Sequence, residues 1–216
     1  MKALLSDIKT SILLTLVLVV LTCGAYPVAV WAGAQLLFKD KANGSLVLDA
    51  TGAVRGSRLL AQNFASDKYF QPRPSAAGTG YDATSSGGTN YGPTSDKLAN
   101  GSHAKDAKGK DIADPGNFDG IKDLVAAYRA SNGLARDVPV PADAVTRSAS
   151  GLDPDISTAN ALIQAGRVAK ARNLPLAAVQ DLIAAQTTQR DLGILGEARV
   201  NVLMLNLALD RKAPVK

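Results

Sequence analysis

Apolar positions are distributed unevenly along this chain. From Ser11 to Phe38 no Asp, Glu, Lys or Arg occurs, whereas beyond Phe38 the apolar residues come in short runs and helical stripes. A bilayer core about 30 Å thick takes roughly 20 apolar residues in helical form, so residues 11–38 predict one transmembrane helix. Lys2 and Lys9 precede the run, Lys39 and Lys41 follow it, and Tyr26, Trp31 and Phe38 lie toward its second half. Lysines and amphipathic rings favour the headgroup layer. Pro27 lacks a backbone donor, which predicts a kink or a restart. Gly24, Ala25, Ala29, Ala32, Gly33 and Ala34 leave small-residue faces on which another helix can pack closely.

The competing reading is a cleaved secretory signal, because Ala32-Gly33-Ala34 offers a small-x-small site after an apolar core with a basic start. Signal cores run about 7 to 15 residues, and here the apolar run continues through and beyond that site. Lipidation at Cys23 is opposed by the bulk of Leu21 and Thr22. Lysines and arginines on the two flanks nearly balance, so charge alone leaves the orientation open.

Residues 39–216 form one further domain by length. Ser45 to Asp49 and Arg58 to Phe64 read as two short strands, with Thr51-Gly52 and Gly56-Ser57 as turns. Ala65 to Gly101 is crowded with Gly, Ser, Pro, Asn and Thr, yet carries Tyr69, Phe70, Tyr81 and Tyr91. Those rings predict a long ordered loop pinned to the domain or to a partner. Ser102 to Asp119 is polar and reads as a mobile insert. Ile121, Leu124, Val125 and Tyr128 then share one helical face. A second helix spans about Ser157 to Arg172, with Ser157 or Asp155 as cap and Leu162, Ala165, Val168 and Ala169 facing inward. A third opens at Pro175 and aligns Leu176, Val179, Leu182 and Ile183. The C-terminal run is ambiguous: alternation favours a strand at Val200 to Leu203, while Val202, Leu205 and Leu209 suit a helix. The fold class expected is α+β: one N-terminal transmembrane helix and a single soluble α/β-type domain with a long Gly/Ser/Pro-rich loop.

Composition narrows this picture only a little. The net charge is +5 and the pI about 9.3, but basic residues are interspersed with aspartates rather than gathered for nucleic acid. The single cysteine, Cys23, lies in the apolar run, so the domain has neither a disulfide nor a cysteine metal site.

Most candidate chemistry fails on its own terms. Ser85 to Asn90 has the glycines of a phosphate loop but no following Lys-Ser/Thr. Asp153, Asp155 and Ser157 imitate the opening ligands of a calcium loop, yet Thr158 and Gln164 stand where glycine and a bidentate glutamate are required. Turn and helix capping explains them better. Ser102-His103-Ala104-Lys105 has the Ser-x-x-Lys spacing of serine acyltransferases without the partner motifs. That match supplies the alternative function, a membrane-tethered periplasmic serine acyltransferase or hydrolase acting through Ser102 and Lys105. His103 lies beside no plausible nucleophile.

Several motifs together resemble the KdpC family, the C subunits of the bacterial high-affinity potassium-transporting ATPase. They are Gly56-Ser57 with Gln62 and Phe64, the run from Tyr69 to Ala76, Ser86 to Asn90 with Gly92-Pro93, and Val140 to Pro154. Gln164, Arg167, Ala169 and Arg172 follow, then Leu192 to Asp210. Thr89, Asp155 and Ala198 depart from the pattern. The resemblance implies a cytoplasmic N-terminus at 1–10, one inner-membrane span at 11–38 and a periplasmic domain at 39–216. It implies a noncatalytic accessory subunit of a P-type complex, partnered by a potassium-conducting A subunit, an ATP-hydrolysing B subunit and a small F subunit. ATP and potassium are then used by the complex, with no cofactor or metal held by this chain, and the subunit acts as a chaperone raising the B subunit's ATP affinity. An exported domain cannot touch cytoplasmic ATP, so direct nucleotide contact through the glycine stretch is a separate reading. Tyr69, Phe70, Arg73 and Pro74, with Ser86, Gly87, Gly88, Thr89 and Asn90, are the expected partner contacts. The same residues serve equally well to brace the domain's own loop.

Overall fold

The computed structural model describes residues 1–49 and 51–214. The chain divides into two compact units, Met1–Ser57 and Arg58–Lys216.

The first unit is dominated by a helix running from Lys2 to Leu37, none of it buried within the protein. It comprises α1 (Lys2–Val19), a π-helical stretch (Val20–Ala25) and α2 (Tyr26–Leu37). At 1.5 Å per residue the helix exceeds the apolar thickness of a bilayer, so Lys2, Asp7 and Lys9 occupy an extension beyond the apolar run. Pro27 neither breaks nor restarts it. The residues bounding the π stretch keep right-handed helical dihedrals, and the widened turns immediately precede the proline, at the first turn of α2, where its missing N–H is tolerated.

A short α3 (Lys39–Ala42) leads to the hairpin of β1 (Leu46–Leu48) and β2 (Val54–Ser57), antiparallel with a bulge between Val47 and Leu48. The second strand therefore comes earlier than the sequence pattern suggests. Asp49 makes the turn tight: its carboxylate accepts from the Thr51 and Ala53 amides and from Arg55. Those bonds, led by the Thr51 hydroxyl, hold its pKa down to about 2. Gly56 is a paired strand residue rather than a turn residue, and Arg58 to Phe64 is irregular, with Ala61 N–H donating to Leu152 O and Arg58 O accepting from the Asn201 side chain.

In the second unit the chain runs from Arg58 to Ser95 without regular structure, then forms α4 (Asp96–Asn100). Isolated bridges Ser102↔Phe118 and Lys105↔Asp111 close the polar excursion that follows. Next come α5 (Ile121–Asn132), α6 (Ala142–Val145), β3 (Asp155–Ser157), α7 (Thr158–Arg172), α8 (Leu176–Gln186), β4 (Thr187–Thr188), β5 (Arg199–Asn201) and α9 (Val202–Lys212). The sheet order is β3-β5-β4, antiparallel throughout. Ser157 caps α7, accepting from Asn160 N–H at 3.1 Å, and Asn173 ends it in the left-handed conformation. Both readings of the C-terminal run hold in succession, because Asn201 ends β5 and its side chain caps α9.

The core joins α7, α8 and α9 to the sheet through Val168, Val179, Ile183, Val200, Leu205 and Leu209. Two expected inward residues are exposed instead. Leu162 and Leu176 point to solvent, and the inner face of α7 is made by Ala161, Ala165, Val168 and Ala169 with Asn160 and Gln164.

Candidate functional site

The segment from Tyr69 to Ala76 has no strand partner, so side chains complete its hydrogen bonding. Asn206 of α9 accepts from Phe70 N–H and donates to Phe70 O, both at 2.9 Å. Gln164 of α7 does the same for Gln71, at 2.8 and 3.0 Å. Each buried amide thus satisfies both the N–H and the C=O of one residue, as a neighbouring strand would. Arg167 holds the carbonyls of Asp67 and Tyr69 and the Gln164 side chain. Arg172 takes Lys68 O, Ala213 O and the Asp210 carboxylate, and its guanidinium lies 4.6 Å from the Tyr69 ring centroid. Tyr69 OH donates to Asp210 at 3.1 Å. Partial burial, with Asp210 beside it, raises the phenol above its ordinary pKa.

Phe70 is fully buried in the core, so of the expected knob only Tyr69, Arg73 and Pro74 retain surface. Arg73 pairs with Asp153 at 2.9 Å, and its carbonyl accepts from Tyr81 OH. Burial pushes the Tyr81 phenol up to about 12. Pro74 O accepts from Ser148 N–H, and Ser75 donates to Gly151 O.

Gly151 and its neighbours also hold the glycine stretch. Ser86 Oγ and Gly87 N–H both donate to Ser150 O. A β-carbon at Gly88 would lie 2.8 Å from Ala149 O, so glycine alone permits that approach. Thr89 lies half-buried beside it, and Asn90 is exposed with φ 56°. Tyr69 to Ala76, Ser86 to Asn90 and Arg147 to Pro154 therefore form one knitted surface. The N–H that a phosphate would seek at Gly87 is already engaged.

Beside this surface lies an open cavity of ≈ 420 Å³, walled by Phe64, Pro72, Pro74, Tyr81, Leu124 and Tyr128. Its polar floor is internally satisfied. Tyr128 OH donates to Asn160 Oδ1 at 2.7 Å, Gln164 donates to the same oxygen, and Asn160 donates to Asp143. Burial, with Asp143 nearby, raises the Tyr128 phenol.

The other sequence candidates assemble differently. Asp153 accepts from Asp155 N–H, and Asp155 pairs with Arg199 at 3.3 Å, so the imitation calcium loop is the strand β3 rather than a turn, and it ends in the cap at Ser157. Burial raises the Asp155 pKa all the same. Lys105 reaches Asp111, and His103 reaches Asp123 at 3.1 Å and Asp119 at 3.8 Å. Among the described residues Ser102 has no hydrogen bond to either, so no nucleophile and base are paired. The cluster of His103, Asp119 and Asp123 is compact enough to consider as metal ligands, but Asp123 also caps the start of α5 through Gly120 N–H. Sequence reasoning missed Asn206, Asp143 and Asp210.

These features define a single-anchor class of chain: one bilayer-length apolar helix, and a helix-and-sheet unit with an internally braced loop surface and no assembled catalytic pair among the described residues. Comparison with known proteins makes the class specific. The family model described as "KdpC: K+-transporting ATPase, c chain" matches residues 8–211. The chain is 49% identical over 196 residues to the potassium-transporting ATPase KdpC subunit of Mycobacterium tuberculosis (strain ATCC 25618 / H37Rv), covering 91% of this chain and 93% of that one. The KdpC subunit of Rhodospirillum rubrum is 47% identical over 212 residues, covering 98% and 99%. That of Caulobacter sp. (strain K31) is 48% identical over 211, covering 98% and 96%. The chain belongs to the KdpC family.

Proposed function

We propose that this chain is a noncatalytic accessory subunit of a potassium-transporting P-type ATPase complex, anchored in the inner membrane with residues 1–10 in the cytoplasm and 39–216 in the periplasm. The observation that carries the reading is the match over nearly the whole chain, anchor included, to KdpC subunits. Potassium conduction and ATP hydrolysis then belong to the A and B subunits, with the F subunit completing the assembly. The braced surface of Tyr69, Arg73 and Pro74 with Ser86 to Asn90 is where this chain meets a partner. Phe70 sets the shape of that surface from within. The subunit stabilises the complex and raises the B subunit's affinity for ATP through partner contacts rather than by holding nucleotide. Indirect action is supported by the engagement of Gly87 N–H with Ser150 and the closeness of Gly88 to Ala149.

Affinity purification of the full chain from potassium-starved cells in mild detergent tests this. The A and B subunits are expected to accompany it, and a chain that purifies alone, or is found trimmed after Ala34 and free in the periplasm, overturns the reading. The acyltransferase alternative requires Ser102, so undiminished potassium-limited growth of Ser102→Ala removes it.

A further inference from the structure

The turn between β4 and β5 presents three large aliphatic side chains to water. Leu192, Ile194 and Leu195 are 88%, 75% and 56% exposed. Nothing in their surroundings explains this as incomplete packing. A β-carbon added at Gly193 or Gly196 would meet no atom within 4 Å, so the turn stands clear of its own unit. It is nonetheless closed and ordered. Asp191 and Leu195 exchange both backbone hydrogen bonds at 2.9 Å, Gly193 N–H donates to Arg190 O, and Ile194 N–H donates to Asp191 O. Arg190 and Glu197 pair across the base at 2.6 Å. Leu192 sits at φ 54°, a left-handed conformation that glycine adopts freely and leucine only with strain. A strained backbone that lifts an aliphatic side chain into solvent is a feature of a contact surface, because neither the strain nor the exposure benefits the isolated chain.

Charge decides between lipid and protein as the occupant. A lipid-inserting turn is helped by free basic residues at its rim. Here Arg190 is paired with Glu197, Arg199 with Asp155, and Asp191 adjoins the tip itself. Taking an ion pair and a carboxylate toward acidic headgroups and hydrocarbon is unfavourable, whereas a protein recess can seat the aliphatic tip and leave the charges at its polar rim.

We propose that Leu192, Ile194 and Leu195 form a preformed docking tip that seats in an apolar recess of a neighbouring membrane subunit of the same transport complex. This rests on the accessory-subunit reading and adds to it a second contact surface, formed by residues other than the braced segments.

The test uses the full chain expressed with its complex. Leu192→Ser combined with Ile194→Ser is expected to leave the thermal unfolding midpoint unchanged and to lower the yield of co-purifying membrane subunits about tenfold or more, as loss of interface anchors does. Ile112→Ser, another exposed aliphatic, is expected to leave that yield unchanged. A photo-crosslinking amino acid in place of Ile194 is expected to capture a transport subunit. Full retention of partners by the double variant, or capture only of lipid, of a second copy of this chain or of nothing, overturns the docking tip. If the unsubstituted chain brings down no partner, the accessory-subunit reading itself falls. If it does and the double variant does equally, only the tip is wrong.

Discussion

The one histidine of the chain illustrates how much a single side chain can report. His103 Nε2 lies 3.1 Å from Asp123 Oδ2, which also accepts from Gly120 N–H at 2.9 Å. The hydrogen bond to Asp123, aided by the negative charges of Asp123, Asp119 and Asp111, raises the imidazole above its ordinary value of 6.5. The same bond lowers Asp123 below 3.8. The folded state therefore favours charged imidazole. Its contribution is complete below about pH 6.5 and is lost as pH rises through the raised value. The contribution of Asp123 is complete above its ordinary value and is lost as pH falls through the lowered one. An NMR titration of His103 is expected to give a midpoint above 6.5, and Asp123→Asn is expected to move it down. An unshifted midpoint in the unsubstituted protein would show that the clasp does not persist in solution. In the sequence, His103 reads only as an isolated group in a polar stretch. Its partners lie on another part of the chain, and no local pattern records that meeting.

Helices α7 and α9 each contribute one buried amide that stands in for a missing strand. Replacing Asn206 with leucine keeps the bulk but leaves Phe70 N–H and Phe70 O without partners in the core. Each orphaned group costs about 1–3 kcal/mol. The unfolding midpoint is expected to drop by at least about 4 °C in a thermal melt, given roughly 2–4 °C per kcal/mol for a chain of this size. An unchanged midpoint would mean that the segment is held by other contacts. Helix existence was legible here from the i, i+3, i+4 spacing, and the cap at Ser157 from its residue type. Which face turns inward was less so. Asn160, Gln164 and Asn206 look like solvent positions because sequence patterns equate polar with outside, and Leu162 and Leu176 fail for the mirror reason. The hairpin was misplaced because Gly56-Ser57 carries turn composition while serving as strand. The successive β5 and α9 defeated any single-period reading. The bracing partners Asn206 and Asp210 were unreadable for a simpler cause: hydrogen bonds between residues 136 or 141 positions apart leave no trace in local spacing, and Asp143 meets Ser157 and Asn160 across 14 and 17 positions, also beyond any helical or strand period.

For the molecule as a whole, the long apolar helix and family membership were both legible from the chain, the first from uninterrupted apolar length and the second from motifs spread across every segment. Attachment to the bilayer is testable directly. Gly24→Arg with Ala25→Arg places two charges in the middle of the span, at about 2.5–3.5 kcal/mol each. The variant is expected to shift from the membrane pellet to the soluble fraction on alkaline carbonate extraction, and full retention in the pellet would mean that something other than this helix holds the protein there. The widened turns ahead of Pro27 carry a geometric corollary. One residue accommodated beyond the α repeat rotates everything after it by about 100° around the axis. The stripe containing Leu14, Val17 and Leu21, which in an uninterrupted α-helix would lie about 80° from the one containing Ala29, Ala32 and Gly33, is thereby brought to within about 20° of it. A straight companion rod can therefore follow one continuous strip past Cys23 without crossing over, so a single neighbour along the whole length suits this rod.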